Sequence, residues 1–177
     1  ISDVDAMLTA AQDYSKAVVI GGGLLGLEAA TGLHRQGMDV KVVHLVDSLM
    51  ERQLDKPASG LLKASLEQRG LSFLMEHSTS EILGDDRVSG VRFSDGSEVE
   101  ADLVVMAIGI KPNIALAEAA GLYCERGIVV NDTLQTYDPK IYAVGECVQH
   151  RGTAYGLVAP LFEQAKVCAN HLARFGI

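Results

Sequence analysis

The chain has 177 residues, which suits one domain, or one domain with part of a second. It carries a formal net charge of −8, with 48% apolar and 21% charged residues. That is the balance of an ordinary globular chain; with no basic run present, general nucleic-acid binding is excluded. No apolar run approaches the roughly 20 residues of a membrane span, and the acidic, amphipathic start ISDVDAMLTAAQDYSK is not a secretory signal.

Taken in chain order, SDVDAMLTAAQDY has a Ser2/Asp3 cap and apolar residues at Val4, Met7, Leu8 and Ala11, the spacing of a helix. KAVVI is a short β-branched strand that enters GGGLLG, and LLGLEAATGLHRQG is a helix closed by Gly37. DVKVVHLV is the next strand, so a right-handed βαβ unit is expected. A helix starting at Pro57 and ending at Gly70 leads to a third parallel strand, LSFLME. HSTSEILG, RVSGVRFS and EVEADLVVMAI, joined by GDDR and SDGS, read as short strands of an antiparallel meander. DLVVMAIG is a continuous apolar run, expected to return to the parallel sheet as a buried strand. IALAEAAG reads as a short helix, GIVVND and KIYAVGE as strands, and GLVAPLFEQAKVCANHLARFG as a closing helix with Pro160 in its first turn. Cys124, Cys147 and Cys168 form neither a CxxC pair nor a zinc spacing; they read as small buried residues of a soluble, cytoplasmic protein.

Gly21, Gly23 and Gly26 fit the pattern GxGxxG. The pattern is weak alone, but here it follows a strand and opens a helix inside a βαβ unit, the setting of a dinucleotide-binding loop. Gly21 permits the sharp turn, Gly23 lets backbone N–H groups approach a pyrophosphate, and Gly26 lets helix and strand pack closely. The positive end of the helix suits phosphates. An acid that holds the ribose 2′-hydroxyl is expected about 20 residues on, at the end of the second strand. His44 stands there, with Asp47 three residues later. A neutral imidazole can still hydrogen-bond a ribose hydroxyl. A 2′-phosphate would call for arginine near the strand end; no base occurs from Leu45 to Glu51, and Arg52 is the first, so NADH is favoured over NADPH.

With these motifs in place, the chain resembles the pyridine nucleotide–disulfide oxidoreductase superfamily, the flavoproteins with two dinucleotide domains. VVIGGGLLGLEAA resembles its NAD loop, VVMAIGIKPN its second motif with a Gly-x-x-Pro turn, and IYAVGECV its flavin-contacting third motif, with Glu146 where Asp is usual. VVHLVDSLMERQLD, YAVGECVQHRG and YGLVAPLFEQAKV are similar to the large subunits of assimilatory NAD(P)H-dependent nitrite reductases. The resemblance implies an α/β fold in which a Rossmann-like NAD-binding domain, with a parallel sheet and a β-meander, is inserted in an incomplete FAD-binding domain. Residues 1–14 would be a lead-in helix from the FAD domain, 15–127 the NAD(P)-binding domain, and 128–177 the return of the FAD domain. The chain then reads as an excised piece that lacks the FAD phosphate loop.

Several roles follow from the resemblance alone. Glu28 would lie near the nicotinamide, although a plain helix-surface Glu is the alternative. Gly109 would let backbone pass close to the NAD. Gly145 would allow close approach of the flavin, and Glu146 would accept a hydrogen bond from its ribityl chain. The implied activity is hydride transfer from NADH to FAD, feeding reduction of nitrite to ammonia. The siroheme and iron–sulfur groups, and the remaining FAD and siroheme domains as partners, would lie outside this segment. An apolar surface left uncovered would favour self-association into a homo-oligomer. Alternatives are a reductase of ferredoxin or rubredoxin type, and a nucleotide-binding module without turnover. No catalytic acid, base or nucleophile, and no metal ligand, is named in this segment.

Overall fold

The computed structural model describes residues 2–173, which group into two compact units that divide between Ile108 and Gly109. In the first unit, α1 (Ser2–Asp13) leads to β1 (Lys16–Ile20), α2 (Leu24–Arg35), β2 (Asp39–Val43), α3 (Lys56–Gln68) and β3 (Ser72–Leu74). The expected meander follows as β4 (Thr79–Leu83), β5 (Gly90–Phe93) and β6 (Glu98–Glu100), before β7 (Leu103–Met106). Strands β3, β2, β1 and β7 lie in that order in one parallel sheet. The order reverses beside β1: β2 and β3 lie to one side, and the chain comes back on the other side as β7. In such sheets the crevice at the carboxyl ends of the strands, where the order reverses, is the usual ligand position.

Alternation along the strands builds two cores. Ala17 and Val19 of β1, with Val40 and Val42 of β2, face Leu27, Ala30 and Leu33 of α2 and Leu66 of α3. Val18 and Val43 point to the opposite face, where Val91 and Phe93 of the meander cover them. Burial of each valine, leucine or phenylalanine side chain among them stabilises the unit by about 1.5–3 kcal/mol. The helical face of α2 follows from its spacing: Gly26, Leu27, Ala30 and Leu33 are its buried residues. Helix α3 starts one residue before Pro57, and the Asp55 carboxylate accepts the Ala58 N–H at 2.9 Å as its cap. Helix α1 is mostly exposed, yet Met7 and Ala11 pack on the first core.

Strand β7 returns to the parallel sheet as expected but is not buried. It is the edge strand, half-buried along Leu103–Val105 and exposed at Met106, because only β1 pairs with it.

In the second unit, α4 (Ala115–Ala119) precedes β8 (Ile128–Val130), β9 (Val148–His150), β10 (Thr153–Ala154) and α5 (Val158–Leu172). Strand β9 pairs parallel to β8 and antiparallel to β10. Val130, Leu134, Val148 and Cys168 form the core. The run KIYAVGE does not form the expected strand. Tyr142 makes a single bridge to Gln135, and the Ala143 N–H donates to Leu134 O at 3.0 Å. An apolar run becomes a strand only with a neighbour to pair with, and here only the loop at 134–136 answers it. Residues 109–127 group with this second unit. A bridge between Cys124 and Ile128, and the Val129 N–H donating to Tyr123 O, tie that stretch to β8. All three cysteines are free thiols; Cys168 is buried, whereas Cys124 and Cys147 are half-buried. The closing helix, expected over 156–176, runs from Val158 to Leu172; the last part of the expected span, 174–176, lies outside the described residues.

Candidate functional site

Each glycine of the loop after β1 has its own physical reason. Gly21 adopts φ +121°, and its N–H donates to Val43 O at 2.8 Å, closing the end of β1 against β2. A Cβ there would sit 2.3 Å from Ala107 O, the backbone that follows β7. At Gly26 a Cβ would sit 1.9 Å from Gly21 O, so only glycine lets α2 rest on the turn it grows from. Gly23 is different: its backbone is extended (φ −84°, ψ −178°), and a Cβ would meet nothing within 4 Å. It is the N-cap of α2, and no side chain caps that helix. The first-turn N–H groups of a helix lack intrahelical partners, so this end presents donors and the positive end of the helix dipole beside open space. These features fit a diphosphate.

The residue at the end of β2 does something the sequence did not disclose. His44 Nδ1 accepts the Gly22 N–H at 3.0 Å, so this nitrogen carries no proton. Nε2 then carries it and faces two acceptors, Ser48 O at 3.1 Å and the Glu51 carboxylate at 3.2 Å. The Met50 N–H, from a residue at φ +51°, donates to Gly22 O at 3.0 Å. Both backbone groups of Gly22 are therefore held by the segment after β2. A Cβ on Gly22 would lie 2.7 Å from Leu49 Cδ2 and 2.8 Å from His44 Cγ. Sequence reasoning passed over Gly22, Leu49, Met50 and Glu51. The available signal was the extra glycine in GGG, at a position where the GxGxxG pattern asks for none.

Glu28 lies exposed in the second turn of α2. Asp47 and Lys56 form an ion pair at 2.7 Å, which holds the Asp47 carboxyl below its ordinary value and raises the Lys56 ammonium.

In the second unit, Gly109 is exposed at φ +117°, with open space where a Cβ would be. Gly145 has φ +102° and similar open space, and its N–H donates to Gln164 Oε1 of α5 at 3.1 Å. The turn at Gly145–Glu146 is thereby anchored to the helix. Glu146 is exposed and takes no hydrogen bond or ion pair from a described residue, which leaves its carboxylate able to accept from a hydroxyl. Cys147 packs on the core of this unit. Gln164, like Gly22, Leu49, Met50 and Glu51, was not singled out in the sequence. No group of three metal-ligating side chains occurs among the described residues, and no helix there is long and apolar enough to cross a membrane.

The family model of pyridine nucleotide-disulphide oxidoreductases matches residues 1–170. A protein of Bacillus subtilis (strain 168) named nitrite reductase [NAD(P)H] is 62% identical over 172 residues, covering 97% of this chain and 21% of its own length. Another from the same organism, named assimilatory nitrate reductase electron transfer subunit, is 55% identical and is covered over 22% of its length. The chain thus spans about a fifth of these relatives. Among solved structures, the ferredoxin reductase for the CYP199A2 system of Rhodopseudomonas palustris superposes with a TM-score of 0.88 at 33% identity, over 95% of this chain and 43% of the other. One model runs through both units, and the relatives are alike over nearly the whole chain: it belongs to the pyridine nucleotide-disulphide oxidoreductase family.

Proposed function

We propose that this chain is the NADH-binding segment of a flavin-dependent oxidoreductase that passes hydride from NADH to FAD and feeds the reduction of nitrite to ammonia in the cytoplasm. In this reading residues 15–127 form the nucleotide-binding domain. Residues 1–14 lead into it from the FAD domain, and 128–177 return to that domain. Backbone N–H groups of the Gly21–Gly26 loop hold the NADH diphosphate, with Glu28 near the nicotinamide and Gly109 giving room for the nucleotide. Gly145 and Glu146 meet the ribityl chain of FAD. FAD supplies the redox chemistry when bound; the protein's part is to bind and orient. The sequence has one GxGxxG loop, so it holds a cradle for one dinucleotide diphosphate. Siroheme and iron–sulfur groups belong to other parts of such an enzyme.

The observation that carries the reading is Gly23: an uncapped helix start with open space at its Cα, inside a family-matched βαβ unit. Calorimetric titration of the chain with NADH tests it. Saturable one-site binding is expected, and absence of heat with both NADH and NADPH would defeat it. A second reading within the family, delivery of electrons to a different acceptor, is favoured by the relative named an electron transfer subunit and by the ferredoxin reductase match. Cysteine clusters with siroheme spacing in the flanking gene sequence would favour nitrite reduction, and their absence would favour the second reading.

A further inference from the structure

We infer that Glu51 is the residue that selects the adenosine ribose of the nucleotide, taking the place of the missing acid at the end of β2, and that His44 positions it. The inference rests on the dinucleotide reading of the glycine loop. In a βαβ nucleotide site, a carboxylate beside the end of the second strand accepts from the ribose hydroxyls, and it repels the 2′-phosphate that distinguishes NADPH. Here His44 occupies that strand end, but its Nδ1 already accepts the Gly22 N–H. The proton on Nε2 then fixes the Glu51 carboxylate at 3.2 Å, on the far side of the same ring. The ring acts as a spacer: one end is fixed to the glycine loop, and the other carries an acid.

Three observations support Glu51 over His44 itself. The His44 side chain is only 11% exposed and has partners at both nitrogens, whereas the Glu51 side chain is 43% exposed and keeps acceptor capacity. Glu51 also lines a cavity of about 330 Å³ in this segment, together with Asp47, Ser48, Asp55 and Lys56. Lys56 is the only cation of that lining, and the Asp47 carboxylate pairs with it. A sugar hydroxyl finds acceptors there, while a 2′-phosphate finds negative charge and a cation already taken. The chain should therefore bind NADH more tightly than NADPH.

Titration of the 177-residue chain and its variants with NADH and with NADPH tests this. Glu51→Gln keeps the shape and removes the charge at an exposed position. It should weaken NADH about tenfold, the size of a lost charged hydrogen bond, and leave NADPH unchanged or tighter. In a His44→Ala background the same Glu51→Gln change should have little further effect, because Glu51 is then no longer held. A purely structural His44 would give additive losses. Equal loss for both nucleotides, no change in their ratio, or additivity with His44→Ala would overturn the inference. A parent chain that binds neither nucleotide would bring down the dinucleotide reading and this inference with it; a parent that binds NADH leaves the variants to decide on Glu51 alone.

Discussion

Three glycines a few residues apart should respond to the same substitution in opposite ways. At Gly26 the nearest atom to an added methyl is backbone, Gly21 O at 1.9 Å, and it cannot swing aside. Gly26→Ala should therefore cost about 3 kcal/mol by overpacking, seen as a lower unfolding midpoint in urea. Gly23 has open space and an extended backbone that any residue adopts. Gly23→Ala should leave stability within about 0.5 kcal/mol. The same change should weaken NADH at least about tenfold, since the methyl occupies the approach to the helix N–H groups. Equal effects of the two changes on stability would contradict this division of labour. Gly22 is intermediate: its obstacles are the side chains of Leu49 and His44, which can shift, but only by disturbing the His44–Glu51 contact. The GxGxxG residues could be read in the sequence because their spacing encodes a backbone shape. The Gly22–His44–Glu51 chain could not, because a loop has no period and nothing local announces which of its side chains turns back to the strand.

At the scale of elements, the ends of strands matter more than their middles. Asp102, just before β7, accepts from the Lys16 N–H at 2.9 Å and the Ser15 N–H at 3.2 Å, fixing the start of β1 beside it. These two donors, Lys16 first, hold its carboxyl below the ordinary value of 3.8. A depressed carboxyl contributes stability that is complete above the ordinary value and disappears as pH falls through the lowered one. Part of the acid sensitivity of unfolding below about pH 4 should therefore vanish in Asp102→Asn, and its midpoint at pH 7 should be lower than the parent's. A parallel shift of the whole pH profile, without a change in its acid limb, would exclude the role. In the second unit Gln149 is buried; its Oε1 accepts from the Arg126 and Gly127 N–H groups, and its amide donates to Glu125. Gln149→Leu strands those donors and should cost about 1–3 kcal/mol in urea unfolding. Strands β1 and β2 were legible from their β-branched runs. The edge position of β7 was not, because strand order is decided by distant pairing. IYAVGE misled for the same reason: its composition is that of a strand, and its neighbours decide otherwise.

At the scale of the molecule, the family binds NAD(P)H and FAD, yet these 177 residues contain one GxGxxG loop. The turn at Gly145–Glu146 offers an exposed acceptor for a hydroxyl-bearing chain, and Gln164 keeps it in place. A single acceptor contributes little against the loss of freedom on binding, whereas a diphosphate cradle at a helix start adds several charge-assisted bonds. Phe162 and Val158 near the start of α5 are about two-thirds exposed, so a flavin would also gain little enclosure from that helix alone. The chain should accordingly hold NADH while retaining FAD poorly, with slight reductase activity even when FAD is added. The visible spectrum of the purified chain after dialysis against FAD checks this directly. A colourless protein that still gives a calorimetric isotherm with NADH is the expected result. A yellow protein with one FAD per chain would mean that flavin affinity resides in the turn and helix of the second unit rather than in a separate phosphate cradle.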